Sequence, residues 1–177
     1  MEINPAPVFW LTGLSGAGKS TLASTVSTLL TQEGFKSITI DGDVLRSGLN
    51  SDLGFTDADR AESVRRAAQV AALCSRAGVI VFVSLISPFI EGRARAREII
   101  GNEYFREIYV NASLQTCRNR DIKGYYALAD AGKIANFTGL TSAYEAPVSP
   151  DLMIDTTNEE LAKCILRFHS FALTRCR

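Results

Sequence analysis

Five short runs of apolar, mostly β-branched or aromatic residues punctuate the chain, at residues 8–12, 37–40, 79–84, 108–110 and 152–154. Each is continuous rather than alternating, the pattern of strands buried on both faces of a parallel sheet. The intervals follow a different period. Leu22, Val26, Leu29 and Leu30 recur at helical spacing before Gly34, and Val64, Ala68, Ala71 and Ala72 do so before Gly78. Each glycine stands where a helix C-cap belongs. Thr56 and Asp59 have the spacing of a capping box and predict the start of the second of these helices. A last helix, from about Asn158, places Leu161, Ile165, Phe168 and Ala172 on one face. Strands alternating with helices predict βαβ units in a three-layer α/β fold with a mostly parallel five-stranded sheet. Residues 121–150 break the alternation, with glycines, tyrosines and two prolines but no clean strand. A long excursion of this kind in a compact chain is usually functional, and this one reads as a lid.

The 177 residues suit one domain, here residues 1–177, and are enough to bury about 70% of the surface of the unfolded chain. Lys plus Arg and Asp plus Glu balance at 19 each, so no overall field favours nucleic acid or a membrane surface. The start of the chain has neither a basic segment nor a cleavage-like site, and no apolar run approaches a membrane span, which predicts a cytoplasmic protein. Cys74, Cys117, Cys164 and Cys176 are far apart and lack metal-ligand spacing, so they read as buried or half-buried thiols. His169, the single histidine, reads as a helix-face residue.

Candidate chemistry enters between the first strand and the first helix. Gly13-Leu14-Ser15-Gly16-Ala17-Gly18-Lys19-Ser20 satisfies GxxxxGK[ST] in full, in the strand-to-helix context that the motif requires. Such a loop cradles phosphates with backbone N–H groups at a helix N-terminus, and Thr21 extends the set into the helix. Lys19 is the candidate for the β- and γ-phosphates, and the Ser20 hydroxyl for magnesium. A GTPase would carry a base-reading Asn-Lys-x-Asp segment, which is absent. The small size and the prospective lid favour a small-molecule kinase, in which a lid excludes water during phosphoryl transfer.

The acceptor side of such a kinase would lie beyond the second strand, where Asp41-Gly42-Asp43 is found. Two carboxylates there can hold magnesium, and Asp43 is the candidate base for an attacking hydroxyl. Alternatively Asp41 merely ends the strand and Asp43 caps a short helix over residues 44–49. Arg46, Arg60, Arg65 and Arg66 follow, with Phe55 among them. Arginines fork onto phosphate or sulfate oxygens and an aromatic face can stack on a base, although Arg65 and Arg66 taken singly read as solvated helix charges.

Taken in order, residues 9–20, 41–50 and 52–55, Asp59-Arg60, Arg65-Arg66, Ile86-Ser87-Pro88-Phe89, Arg120-Asp121-Ile122-Lys123-Gly124, Phe137-Thr138-Gly139 and Tyr144-Glu145 strongly resemble adenylylsulfate kinase. The resemblance covers about residues 8 to 155 and implies a P-loop kinase, typically dimeric. It would use ATP and magnesium to phosphorylate the 3′-hydroxyl of adenylylsulfate. By position, the resemblance makes Asp43 the acid-base and metal residue, with Asp41 and Ser20 also at the metal. Arg46 and Arg60 would contact the phosphosulfate or ribose, and Phe55 and Phe137 would sandwich the adenine. Ser63 and Ile86 complete the acceptor side, and Arg120 and Lys123 belong to the donor side. Ser87 matches a serine described in the family as a phosphoserine intermediate. Read from its own neighbourhood, Ser87 looks like an N-cap with Pro88 at the first helical position, and a direct in-line transfer needs no covalent stop.

Departures from the family pattern gather on the acceptor side. Ser63 replaces an asparagine before the arginine pair, and Ser47 a frequent histidine. Tyr125 to Asp130 and Ala135 replace lid positions usually rich in lysine, which lowers the lid's positive charge. Two other readings accommodate these changes: a kinase for a related acceptor such as cytidine diphosphoramidate, or a nucleotide-binding module without catalysis. Against the module stand Lys19, Ser20 and Asp43, all present.

Overall fold

The computed structural model describes residues 4–134 and 136–176; the expectations placed on residues 1–3 and on Ala135 lie outside them. Five strands, β1 (Val8–Thr12), β2 (Ser37–Asp41), β3 (Ile80–Ser84), β4 (Phe105–Asn111) and β5 (Leu152–Asp155), form an all-parallel sheet in the order β2-β3-β1-β4-β5. The helices are α1 (Lys19–Gln32), α2 (Gly42–Arg46), α3 (Asp57–Arg76), α4 (Ile90–Ile100), α5 (Leu114–Arg120), α6 (Tyr125–Asp130) and α7 (Leu161–Cys176).

Alternation along β1 divides the core in two. Phe9 and Leu11 pack with α1 and α7, whereas Val8 and Trp10 pack with α3 and α4. All five residues of β1 and all five of β3 are buried. Burial on both faces does not extend to the sheet edges as the continuous runs suggested. Ile38 of β2 is 42% exposed and Met153 of β5 is 51% exposed, because the helical layers close over the centre of the sheet and stop short of its rims. The crossover after β1 leaves on the α1 face and that after β3 on the α4 face. The two neighbouring strands therefore open a crevice at their carboxyl ends, where ligands of doubly wound folds collect.

Local signals set most helix ends. The Thr56 hydroxyl accepts from the Asp59 N–H at 3.2 Å and the Asp59 carboxylate accepts from the Thr56 N–H at 3.1 Å, the reciprocal pair expected. At the other end of α3, Gly78 at φ +75° lets its own N–H reach the Ser75 carbonyl and the Val79 N–H reach that of Cys74. Three expected boundaries move. The short helix is Gly42–Arg46 and not 44–49, because the Asp41 carboxylate takes the Asp43 N–H at 2.9 Å and starts it earlier. The last helix begins at Leu161, since Asp155 Oδ1 accepts from the N–H groups of Thr157 and Asn158 and holds that stretch as a turn. Ser87 is not an N-cap: α4 starts three residues later, with Phe89 at the cap position and the Glu145 carboxylate accepting the Ile90 N–H at 2.7 Å.

Thr56→Ala removes a helix cap on the surface. Thermal unfolding should show Tm lower by about 2–4 °C with an unchanged circular dichroism spectrum.

Candidate active site

The crevice is a cleft of about 660 Å³ whose walls carry the loop after β1, the start of α2, the segment before α3, the turn after β3 and the stretch from α5 to Thr138. That volume lies within the usual range of ligand clefts.

The glycine-rich loop is held from behind. Gly13 has φ +151°, and a Cβ there would lie 2.3 Å from the Val110 carbonyl oxygen, so only glycine lets the loop cross β4 this closely. Each carbonyl from Gly13 to Ala17 accepts a side-chain hydrogen bond. Lys19 Nζ donates to those of Gly13 and Leu14, at 2.9 and 2.8 Å. The Tyr126 hydroxyl donates to that of Ser15 at 2.9 Å, and Arg120 Nη1 to that of Gly16 at 3.2 Å. Thr156 Oγ1 donates to that of Ala17 at 2.8 Å. With the carbonyls engaged, the N–H groups of the loop are the polar atoms it can offer to phosphate oxygens. Ser15 to Thr21 line the cleft. Gly13 and Leu14 do not; they form the back of the loop, with Leu14 turned toward Gly139.

Lys19 is 7% exposed, and burial lowers its ammonium to a pKa of about 8, a shift partly opposed by Cys117 and Asp41. Ser20 Oγ donates to Asp41 Oδ2 at 2.5 Å and lies 3.1 Å from Ser84 Oγ. Asp41 and Asp43 thereby divide the roles left open by the sequence. Asp41 both ends the strand and caps α2, through Oδ1, and Asp43 does not cap. The Asp43 carboxylate is about half exposed in the cleft and pairs with Lys123 Nζ, brought in from the loop before α6.

Opposite the phosphate loop, the Arg46 guanidinium lies 4.2 Å from the centre of the Phe55 ring and donates to the Gly54 carbonyl at 3.0 Å. The Arg60 guanidinium lies 5.9 Å from the same centre, so two cations gather at a half-exposed ring that lines the cleft and offers a planar ligand a stacking surface. Arg60 is buried; its Nε donates to the Phe55 carbonyl at 3.2 Å and its Nη2 to the Asn136 carbonyl. It therefore ties together the backbones that carry Phe55 and Phe137. Desolvation and the neighbouring Arg46 both lower its pKa. Phe137 is 8% exposed, edge-on to Tyr126 at 4.9 Å. Ser63 accepts from Asn50 Nδ2 at 2.9 Å, and Ile86 and Ser87 complete the wall. Arg65 and Arg66 face away as helix charges, paired with Glu62 and, for Arg66, also Asp52.

Thr156, Tyr126 and Ser84 were missed in the sequence. Thr156 follows a β5 run that gave no sign of function; the usable signal was its place at the carboxyl end of a parallel strand. Thr156→Val keeps the shape and deprives the Ala17 carbonyl of its donor, so calorimetry should show ATP affinity about five- to tenfold weaker. A Lys19 pKa below its ordinary 10.5 means that the free protein loses this charge as pH rises through about 8. Folding stability from this group then rises with pH between those two values, because the folded state holds fewer protons there. ATP affinity should move the opposite way, falling from pH 7 to 9 in the wild type and staying flat in Lys19→Met.

A family model described as adenylylsulphate kinase matches residues 6–155. The adenylyl-sulfate kinase of Paraburkholderia xenovorans is 54% identical over 149 residues, covering 84% of this chain and 83% of that protein. The bifunctional enzyme NodQ of Rhizobium tropici is 50% identical over 168 residues, which are 95% of this chain and 27% of NodQ, so the chain spans about a quarter of that relative. The structure of the Mycobacterium tuberculosis APS kinase CysC in complex with AMPPNP and APS superposes with a TM-score of 0.91 at 41% identity, covering 96% of this chain and 98% of that one. With its phosphate loop and the facing aromatic and arginine cluster on one cleft, the chain belongs to the adenylylsulfate kinase family.

Proposed function

We propose that the protein transfers the γ-phosphoryl group of ATP to the 3′-hydroxyl of adenylylsulfate, giving 3′-phosphoadenylylsulfate. The observation that carries this is the shared cleft: phosphate loop on one wall, Arg46, Phe55, Arg60 and Phe137 on another, and Asp43 within it. The loop N–H groups and Lys19 hold the β- and γ-phosphates, with Arg120 beside them. Phe55 and Phe137 receive the adenine of the acceptor, Arg46 and Arg60 its anionic groups, and Asp43 accepts the proton of the attacking hydroxyl. Ser20, Asp41 and Asp43 supply hydroxyl and carboxylate oxygens only, a donor set suited to magnesium, which keeps waters and takes few protein ligands. Bound there, the ion would neutralise charge on the phosphate oxygens.

Residues 121–150 act as the lid in this reading. Lys123 then has two partners, Asp43 and the transferring phosphates, and its release from the first toward the second frees the base. The reading includes a cytoplasmic homodimer. Four unpaired thiols support a reducing compartment, and among the described residues no helix is long and apolar enough to cross a membrane.

ADP release with ATP, magnesium and a panel of nucleotide acceptors tests the reading. Adenylylsulfate should be turned over; turnover of another acceptor in its place would sink the assignment. Lys19→Ala should abolish activity. Asp43→Asn should retain ATP binding and slow the single-turnover step by about 10²–10⁴-fold. A change confined to the acceptor KM would remove the base role.

A further inference from the structure

Ser87, at φ +39°, and Asn136, at φ +57°, are the described non-glycine residues in the left-handed range. A left-handed serine persists only where its surroundings hold it, and such strain gathers at functional sites. Its surroundings here are unusually polar for a site this deep. The carbonyl of Ser87 accepts from Arg93 Nη1 at 2.8 Å, and the preceding Ile86 carbonyl accepts from the Thr12 hydroxyl at 2.7 Å. Arg93 is 3% exposed and ion-paired with Glu107 at 2.7 Å, so the clamp on the Ser87 backbone is itself fixed. The side chain is fixed separately. Trp10, fully buried in the middle of β1, donates its indole N–H to Ser87 Oγ at 3.1 Å.

An indole N–H can only donate. Trp10 therefore occupies an acceptor position of the hydroxyl and leaves the O–H proton to be given elsewhere. Among the described residues its acceptor is the Leu85 carbonyl at 3.5 Å, the limit of a hydrogen bond. The other direction open to it is the cleft that Ser87 lines. We infer that Trp10 is a positioning residue which orients the Ser87 hydroxyl as a hydrogen-bond donor toward an anionic oxygen of the acceptor nucleotide. The inference rests on the reading that this wall of the cleft receives the acceptor. In this arrangement Ser87 keeps its proton: among the described residues its hydroxyl meets only the Trp10 indole and the Leu85 carbonyl, and the indole N–H reinforces its polarity as a donor. Trp10 touches no substrate and acts only through Ser87.

The chain has a single tryptophan, so one indole N–H resonance reports the contact. In Ser87→Ala that resonance should move upfield. In the wild type it should shift on adding adenylylsulfate and stay in place with magnesium-ATP alone. An unmoved resonance in Ser87→Ala, or an equal response to both nucleotides, overturns the inference. Kinetically, Trp10→Phe removes the N–H and keeps an aromatic ring against Phe105. It should raise the acceptor KM about five- to tenfold and leave the ATP KM within twofold. In the Ser87→Ala background it should add nothing further to the acceptor KM. An additive double variant, or equal rises in both KM values, overturns the inference. Should Trp10→Phe fail to fold, the resonance decides alone. Adenylylsulfate turnover and binding by the wild type judge the acceptor reading separately, and the Ser87→Ala shift needs no acceptor at all.

Discussion

The rest of the site depends on where five consecutive carbonyls point. A loop that offers its N–H groups to phosphates must find donors for its carbonyls, and buried carbonyls without donors cost free energy that a tight turn cannot spare. From Gly13 to Ala17 those donors come from four places: Lys19 in the same loop, Tyr126 in α6, Arg120 at the end of α5 and Thr156 after β5. The cradle is local in sequence but its scaffolding is not. Three of its four supports lie more than a hundred residues away, and the sheet order, with β4 beside β1 and β5 beyond it, is what brings them in.

This division explains what could be read from the chain and what could not. The five strands, the capping box at Thr56 and the Gly78 cap were legible because each is decided within a few residues. The glycine motif was legible because its pattern is complete within eight residues, although the approach that demands glycine at position 13 is to the distant Val110. Thr156 and Tyr126 carried no such mark, since a threonine or tyrosine hydroxyl reveals its partner only after folding. Ser87 was misread for the same reason. Serine before proline is a good local cap, but Glu145 arrived from 55 residues away to cap α4 and left Ser87 in another role. The edge strands failed differently: apolar runs state that a strand is apolar, not how far the helices above it extend.

On the facing wall the arrangement is one of shared use. Arg60 spends two donors on the carbonyls of Phe55 and Asn136, so a residue read from the sequence as an anion contact also sets the gap between two aromatic rings. Asp41 caps α2 with one oxygen and meets Ser20 with the other, which fixes α2, and Asp43 on it, relative to the phosphate loop. Arg60 and Asp41 thus each serve two partners at once.

The segment between α5 and α4's cap is sewn to the protein at both ends. Arg120 grips Gly16 and Thr156 on one side. On the other, Glu145 donates its N–H to the Pro88 carbonyl and receives Arg93 on its own, both at 2.8 Å. These are natural suture lines. The length of chain from Asp121 to Ala143 sends Lys123, Tyr126 and Phe137 into the cleft, so an exchange of this segment between relatives would have to carry all three.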